Sequence, residues 1–134
     1  MLRTALLRKL AVCILVLAIG NFLASVFYWY TTLWWLDIAA HMLGGMSVMY
    51  AAGVVLANSY GKPATVSRYV WLSALIALVI GLLWEGFEYY LYTHYGGPRF
   101  SPIDALSDVC FDLAGIWIAG RSILSRMQAI GSSR

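Results

Sequence analysis

Six acidic side chains, Asp37, Glu85, Glu88, Asp104, Asp108 and Asp112, and two histidines, His41 and His94, carry most of the chemistry this sequence offers. These residue types ligate divalent cations and exchange protons. Asp37 and His41 are four residues apart, Glu85 and Glu88 three, and Asp104, Asp108 and Asp112 follow one another at intervals of four. On helices, each set falls on a single face. Carboxylates with one imidazole suit Zn, Mn, Fe or Mg better than a thiolate-selective metal. Cys13 and Cys110 lie in different apolar segments without a CxxC pattern, so both are expected to be small, unpaired core residues.

The elements that must position these groups follow from composition. The chain of 134 residues is 62% hydrophobic and 11% charged, with a mean hydropathy of +0.78. A soluble domain carries about a quarter charged residues. The composition excludes an ordinary water-soluble globule and a disordered tail. No basic run interleaved with aromatics is present, which excludes a nucleic-acid module. The expected fold is all-α: a single polytopic membrane domain over residues 1–134, a four-transmembrane-helix bundle with spans near 10–30, 35–59, 69–92 and 102–123. The 27 residues from Leu10 to Leu36 hold no charge, whereas a signal-peptide core is about 7–15 residues long. An uncleaved first helix is therefore expected. Gly61-Lys62-Pro63 and Gly96-Gly97-Pro98 punctuate the turns after spans two and three.

Orientation follows from the basic residues. Arg3, Arg8 and Lys9 precede span one, Lys62 and Arg68 flank the second turn, and Arg121, Arg126 and Arg134 follow span four. Eight of nine basic residues thus share one side, leaving Arg99 alone on the other. The positive-inside rule places both termini of this multi-pass membrane protein in the cytoplasm. Tyr28, Trp29, Tyr30, Trp34 and Trp35 with Tyr89, Tyr90 and Tyr92 read as an outer aromatic belt. Met42, Met46 and Met49 read as packing residues.

All six acids then fall in the outer halves of spans two to four. On a rise of about 1.5 Å per residue, His41 lies about 9 Å below the start of span two, Glu85 about 10 Å below the end of span three, and Asp108 about 9 Å below the start of span four. Three ligand-type side chains from three helices share one depth. Glu88 is a turn shallower and Asp112 a turn deeper. Gly44, Gly45, Gly81 and Gly115 lie nearby, and small residues let helix backbones approach. An ionised Asp at mid-membrane costs about 2.5–3.5 kcal/mol on insertion scales. Asp108 and Asp112 on one helix are tolerable only if they face the bundle and are neutralised. A divalent cation held by His41, Glu85 and Asp108 is the economical solution, with Glu88 and Asp112 as catalytic candidates and Asp37 and Asp104 as additional members.

Each candidate has a plainer reading. Ser101-Pro102-Ile103-Asp104 has the order of an N-cap, a Pro at N1 and an acid at N3, and capping is favoured for Asp104. Asp37 suits a helix start electrostatically. Arg99 is either an interfacial anchor or a substrate-binding clamp for an anion. His94 is expected in a loop. A lone membrane histidine is often only hydrogen-bonded within a bundle, but His41 is expected to share its depth with acids.

The series Asp37-x3-His41-x2-Gly44-Gly45, Trp84-Glu85-x2-Glu88 and Asp104-x3-Asp108-x3-Asp112-x2-Gly115 resembles the pattern of small VanZ-like membrane proteins, closest to their YjdF-like branch, over spans two to four. VanZ-type proteins often carry Gln where this chain has Glu88. The resemblance implies a small helical inner-membrane protein and an association with glycopeptide resistance and the cell envelope, without a transferable reaction.

Three functions compete. The first is a metal-dependent enzyme that hydrolyses or transfers a lipid or lipid-linked phosphate arriving laterally from the bilayer, with Arg99 on the phosphate. The second is a non-catalytic membrane subunit or an envelope-stress or antibiotic-resistance factor whose polar cluster specifies packing. The third is a proton or metal-ion transporter, disfavoured because no ionisable residue continues inward from Asp112 before Arg121 and Arg68. Homo-oligomerisation is compatible with each.

Overall fold

A computed structural model describes residues 2–59, 66–96 and 101–132. The described chain is helical: α1 (Leu2–Val26), a single turn α2 (Trp29–Thr32), α3 (Trp35–Ser59), α4 (Val66–Tyr95) and α5 (Pro102–Ser132). α1, α3 and α4 contain segments long and apolar enough to cross a membrane, Leu2–Val26, Trp35–Leu56 and Val70–Tyr95. Their exposed side chains, such as Leu15 and Phe22 on α1 and Leu75, Val79 and Leu83 on α4, form an apolar exterior of the kind lipid accepts. α5 differs. Its 31 residues include three aspartates and two arginines, and its length of about 46 Å exceeds the hydrocarbon thickness.

The helix ends have local causes. The first apolar segment does not continue unbroken to residue 30. Tyr28 adopts the left-handed conformation at φ 55°, which a non-glycine residue enters only at a cost, and this breaks the helix after Val26. The turn that follows is held by the Thr31 hydroxyl donating to the Tyr28 carbonyl at 2.7 Å and by the stacked rings of Phe27 and Trp29, 5.5 Å apart. α4 ends where Gly96 takes φ 67°, the usual glycine stop. His94 is therefore not a loop residue. It occupies the last turn of α4, its ring 4.3 Å from that of Tyr90. α5 begins with Ser101 as N-cap, its hydroxyl accepting from the Asp104 N–H at 3.4 Å and its carbonyl from the Ala105 N–H at 3.0 Å. α5 continues past residue 123, the expected end of span four, through Ser132.

α3 is the central helix. It packs on α1, α4 and most extensively on α5, while α5 also packs on α4. Among the described residues no Cα atom of α1 lies within 8 Å of one of α4, and the two flank a groove floored by α3. The half of the bundle away from the acids is filled by Leu6, Met49, Tyr50, Ala119 and Ile123, all buried. At that end Lys9 donates to the Ser122 hydroxyl and lies 5.7 Å from the Tyr50 ring centre. Arg121 rests 5.1 Å from the Trp117 ring centre. Among the described residues, Lys9 and Arg121 thus lie at the end away from the acids.

Candidate functional site

The site depends first on how closely α3 and α5 approach. A Cβ at Gly45 would sit 2.9 Å from the carbonyl carbon of Asp112, and one at Gly115 would sit 3.0 Å from the Met42 carbonyl carbon. Neither position has room for a methyl group. The two glycines bring the backbones together, and this places His41 of α3 beside Asp108 and Asp112 of α5. The Asp112 carboxylate itself fills space that a side chain would take on α4 and lies in ordinary contact with α3. A Cβ at Gly81 on α4 would lie 2.9 Å from its Oδ2, and one at Gly44 would lie 3.8 Å from its Oδ1.

His41 is the hub. Its Nε2 lies 3.7 Å from Asp108 Oδ2 and 3.9 Å from Asp37 Oδ1, and its Nδ1 lies 3.5 Å from Asp112 Oδ1. Acids therefore face both ring nitrogens. A neutral imidazole has one N–H and one lone pair, so it can donate to only one of these sides. Two ligand-sized groups result, Asp37–His41–Asp108 and His41–Glu85–Asp112, in each of which one donor atom per residue lies within 4.8 Å of the others.

Glu85 completes the arrangement. It is 8% exposed, and both its carboxylate oxygens are buried without a hydrogen-bond partner. An ionised carboxylate in that position costs several kcal/mol unless a cation compensates it. Asp108 and Asp112 are also buried, at 6% and 8% exposure. The donor set, one imidazole nitrogen with carboxylate oxygens, fits a divalent cation of the Mn, Zn, Fe or Mg type.

Two cavities meet at the cluster. The outer one, about 480 Å³, is lined by Trp34, Asp37, His41, Glu85, Glu88, Tyr92, Asp104 and Asp108 among others. The second, about 500 Å³, runs into the α1–α4 groove and is lined by Leu17, Asn21, Val48, Ala77, Ile80, Trp84 and Asp112 as well as His41 and Glu88. Tyr30, Asp37, His41 and Glu88 border both. One end of the combined space is acidic and the other apolar.

The sequence-derived set is distributed as follows. His41, Glu85, Asp108, Asp112 and Asp37 come together. The groupings differ from those expected from depth, because Asp112 rather than Asp108 joins Glu85 and His41, and Asp37 joins Asp108. Glu88 faces both cavities. Asp104 is exposed at the outer rim and its backbone is capped by Ser101. His94 lines neither cavity. Arg99 lies outside the described residues. Cys13 is buried, Cys110 is exposed, and both are free.

Sequence reasoning missed Asn21 and Tyr30. Tyr30 reads as a belt residue in the sequence, yet its hydroxyl donates to the Asn21 side-chain oxygen, and both residues line the groove cavity. A signal exists: Asn21 is the one amide side chain in the uncharged stretch from Leu10 to Leu36. An amide in a membrane helix is commonly turned toward a polar partner.

No curated protein and no solved structure matches the chain. A family model described as a predicted membrane protein (DUF2238) matches residues 2–128. With that match over nearly the whole chain, and with three helices apolar and long enough to span a bilayer, this is an integral membrane protein belonging to the DUF2238 family of predicted membrane proteins.

Proposed function

We propose that this protein is a four-span inner-membrane protein that uses a divalent cation, held by His41 and the surrounding carboxylates, to hydrolyse or transfer a lipid or lipid-linked phosphate. The observation that carries the reading is Glu85: a buried carboxylate with two unpartnered oxygens, within ligand distance of an imidazole and a second buried acid. Hydrogen bonding among the protein groups leaves this charge unbalanced, and a cation balances it. A cation there would polarise a phosphoryl oxygen or acidify a bound water. Glu88, which faces both cavities, is the candidate general base, and Arg99 the candidate clamp on the phosphate.

The lipid assignment rests on shape. The apolar cavity opens in the groove between α1 and α4, whose described Cα atoms stay more than 8 Å apart. A chain of methylenes fits beside Leu17, Val48, Ala77 and Ile80, while the headgroup reaches His41. An anionic headgroup among these acids requires the cation. Treating α5 as the fourth span agrees with burial of Asp108 and Asp112, since acids in a membrane helix face the bundle interior. Both termini then lie in the cytoplasm and the site near the extracytoplasmic face. Kinship with VanZ-like proteins and a place in cell-envelope metabolism belong to the same proposal. Against transport stands the apolar packing of Met49, Ile116, Ala119 and Ile123 beneath Asp112.

Elemental analysis of protein purified in detergent, with Mn(II) or Zn(II) supplied, tests the cation. Wild type is expected to retain metal, and His41→Ala to lose it. Wild type that holds no metal would remove the proposal. Release of inorganic phosphate from a long-chain lipid phosphate in mixed micelles tests the reaction. It is expected to depend on added metal and on Glu88.

A further inference from the structure

The two sides of the His41 ring are not equivalent. On the Nδ1 side stands Asp112 at 3.5 Å, and Glu85 shares a ligand-sized group with Asp112 and His41. Glu85 is over nine-tenths buried and unpartnered at both oxygens. The space around Asp112 is kept open by Gly81, whose missing Cβ would crowd the Asp112 Oδ2 at 2.9 Å. On the Nε2 side stand Asp108 at 3.7 Å and, farther off at 3.9 Å, the half-exposed Asp37. One nitrogen of a neutral imidazole offers a lone pair to a metal. The other then carries a proton and needs an acceptor, commonly a carboxylate, which fixes the tautomer and makes the ring a better ligand.

We propose that the cation sits on the inner face of His41, held by Nδ1, Glu85 and Asp112, and that Asp108 is a positioning residue that accepts the Nε2–H instead of binding the ion. This deepens the reading above and rests on it, because it presupposes that a cation binds. It departs from the roles that depth along the helices suggested, a ligand for Asp108 and a catalytic candidate for Asp112. Asp108 acts through the ring: it holds Nε2–H and so turns the Nδ1 lone pair inward, with Asp37 as a more exposed acceptor behind it. The assignment puts the ion where the two cavities meet, since His41 borders both, Asp112 lines the groove cavity and Glu85 lines the other.

The experiment is Mn(II) binding to the detergent-solubilised full chain, followed by electron paramagnetic resonance and by the rise in unfolding temperature on Mn(II) addition. One ion per chain is expected. Glu85→Gln and Asp112→Asn are each expected to lose more than about 100-fold in affinity, beyond the range set by a ligand's hydrogen-bond partner. Asp108→Asn should weaken binding about 10–100-fold, as loss of such a partner does, while still reaching one ion per chain at saturation. Asp108→Glu should recover most of that loss. Glu85→Gln serves as its own folding control, because neutralising an unpaired buried carboxylate should leave the metal-free protein as stable as wild type or more so. Loss of the ion from Asp108→Asn with retention in Glu85→Gln would overturn the assignment and leave the cation reading standing. So would two ions per chain, one lost in each of these variants. No binding by wild type would remove both.

Discussion

Asp104 shows how one residue type serves two ends in this molecule. Three aspartates follow one another along α5 at equal spacing, yet only Asp108 and Asp112 are buried. Asp104 sits in the first turn, where Ser101 caps its N–H and the positive helix end favours a negative charge. Asp104→Asn is expected to lower stability by about 0.3–1 kcal/mol, measured by thermal unfolding in detergent. It should leave Mn(II) affinity within about threefold, since the interaction of a charge with the helix dipole falls off within the first turn. Ser101→Ala should cost about 1 kcal/mol by loss of the cap. A large drop in metal affinity on Asp104→Asn would make it a member of the site. The partner residues Asn21 and Tyr30 act at this scale too. Tyr30→Phe removes the hydroxyl that meets Asn21 and is expected to alter lipid-phosphate turnover while sparing metal retention.

Among the elements, the contact between α3 and α5 decides whether the cluster exists. Gly45 and Gly115 have no room for a methyl group, whereas Gly86 on α4 has nothing within 4 Å of its missing Cβ. Gly45→Ala and Gly115→Ala are each expected to destabilise the bundle by about 1–3 kcal/mol, the usual penalty of overpacking, and to abolish metal retention because His41 and Asp112 are carried apart. Gly86→Ala should be neutral or stabilise by about 0.5–1 kcal/mol through helix propensity. Thermal unfolding together with elemental analysis separates the two classes. Equal effects at Gly45 and Gly86 would mean that the approach of α3 to α5 is not what gathers the acids. The break at Tyr28 belongs to the same scale. It turns the chain so that Tyr30 and Trp34 border the cavities, which a continuous first helix would not do.

For the whole molecule, charge sorting and the open α1–α4 groove are the features with functional reach. The acids occupy one end, and Lys9 and Arg121 the other. A cysteine placed at Asn58, beyond the apolar span of α3, is expected to react with a membrane-impermeant maleimide only from the cytoplasmic side, as the positive-inside distribution requires. Labelling from outside would invert the topology and put the site on the cytoplasmic face. Filling the groove with Ile80→Trp should reduce turnover of a long-chain lipid phosphate several-fold and leave metal content at one ion per chain. Loss of metal in that variant would mean that the groove and the site are not separable.

The amino-acid sequence by itself determined the membrane class, the apolar helices, the segregation of six acids from eight basic residues, and the helix faces on which the ligand-type side chains lie. Those properties follow from composition and from the helical period, which act locally. Depth along a helix could also be counted, and it brought His41, Glu85 and Asp108 to one level. It could not say which acid faces which ring nitrogen, because that depends on helix rotation and on the separation of backbones. Only the tertiary structure decided these. The glycine contacts of α3 with α5 set the separation, the left-handed Tyr28 set the path of the chain over the site, and the wide spacing of the described α1 and α4 backbones left the groove. Rotation and separation arise from packing between distant segments, and no local pattern encodes them.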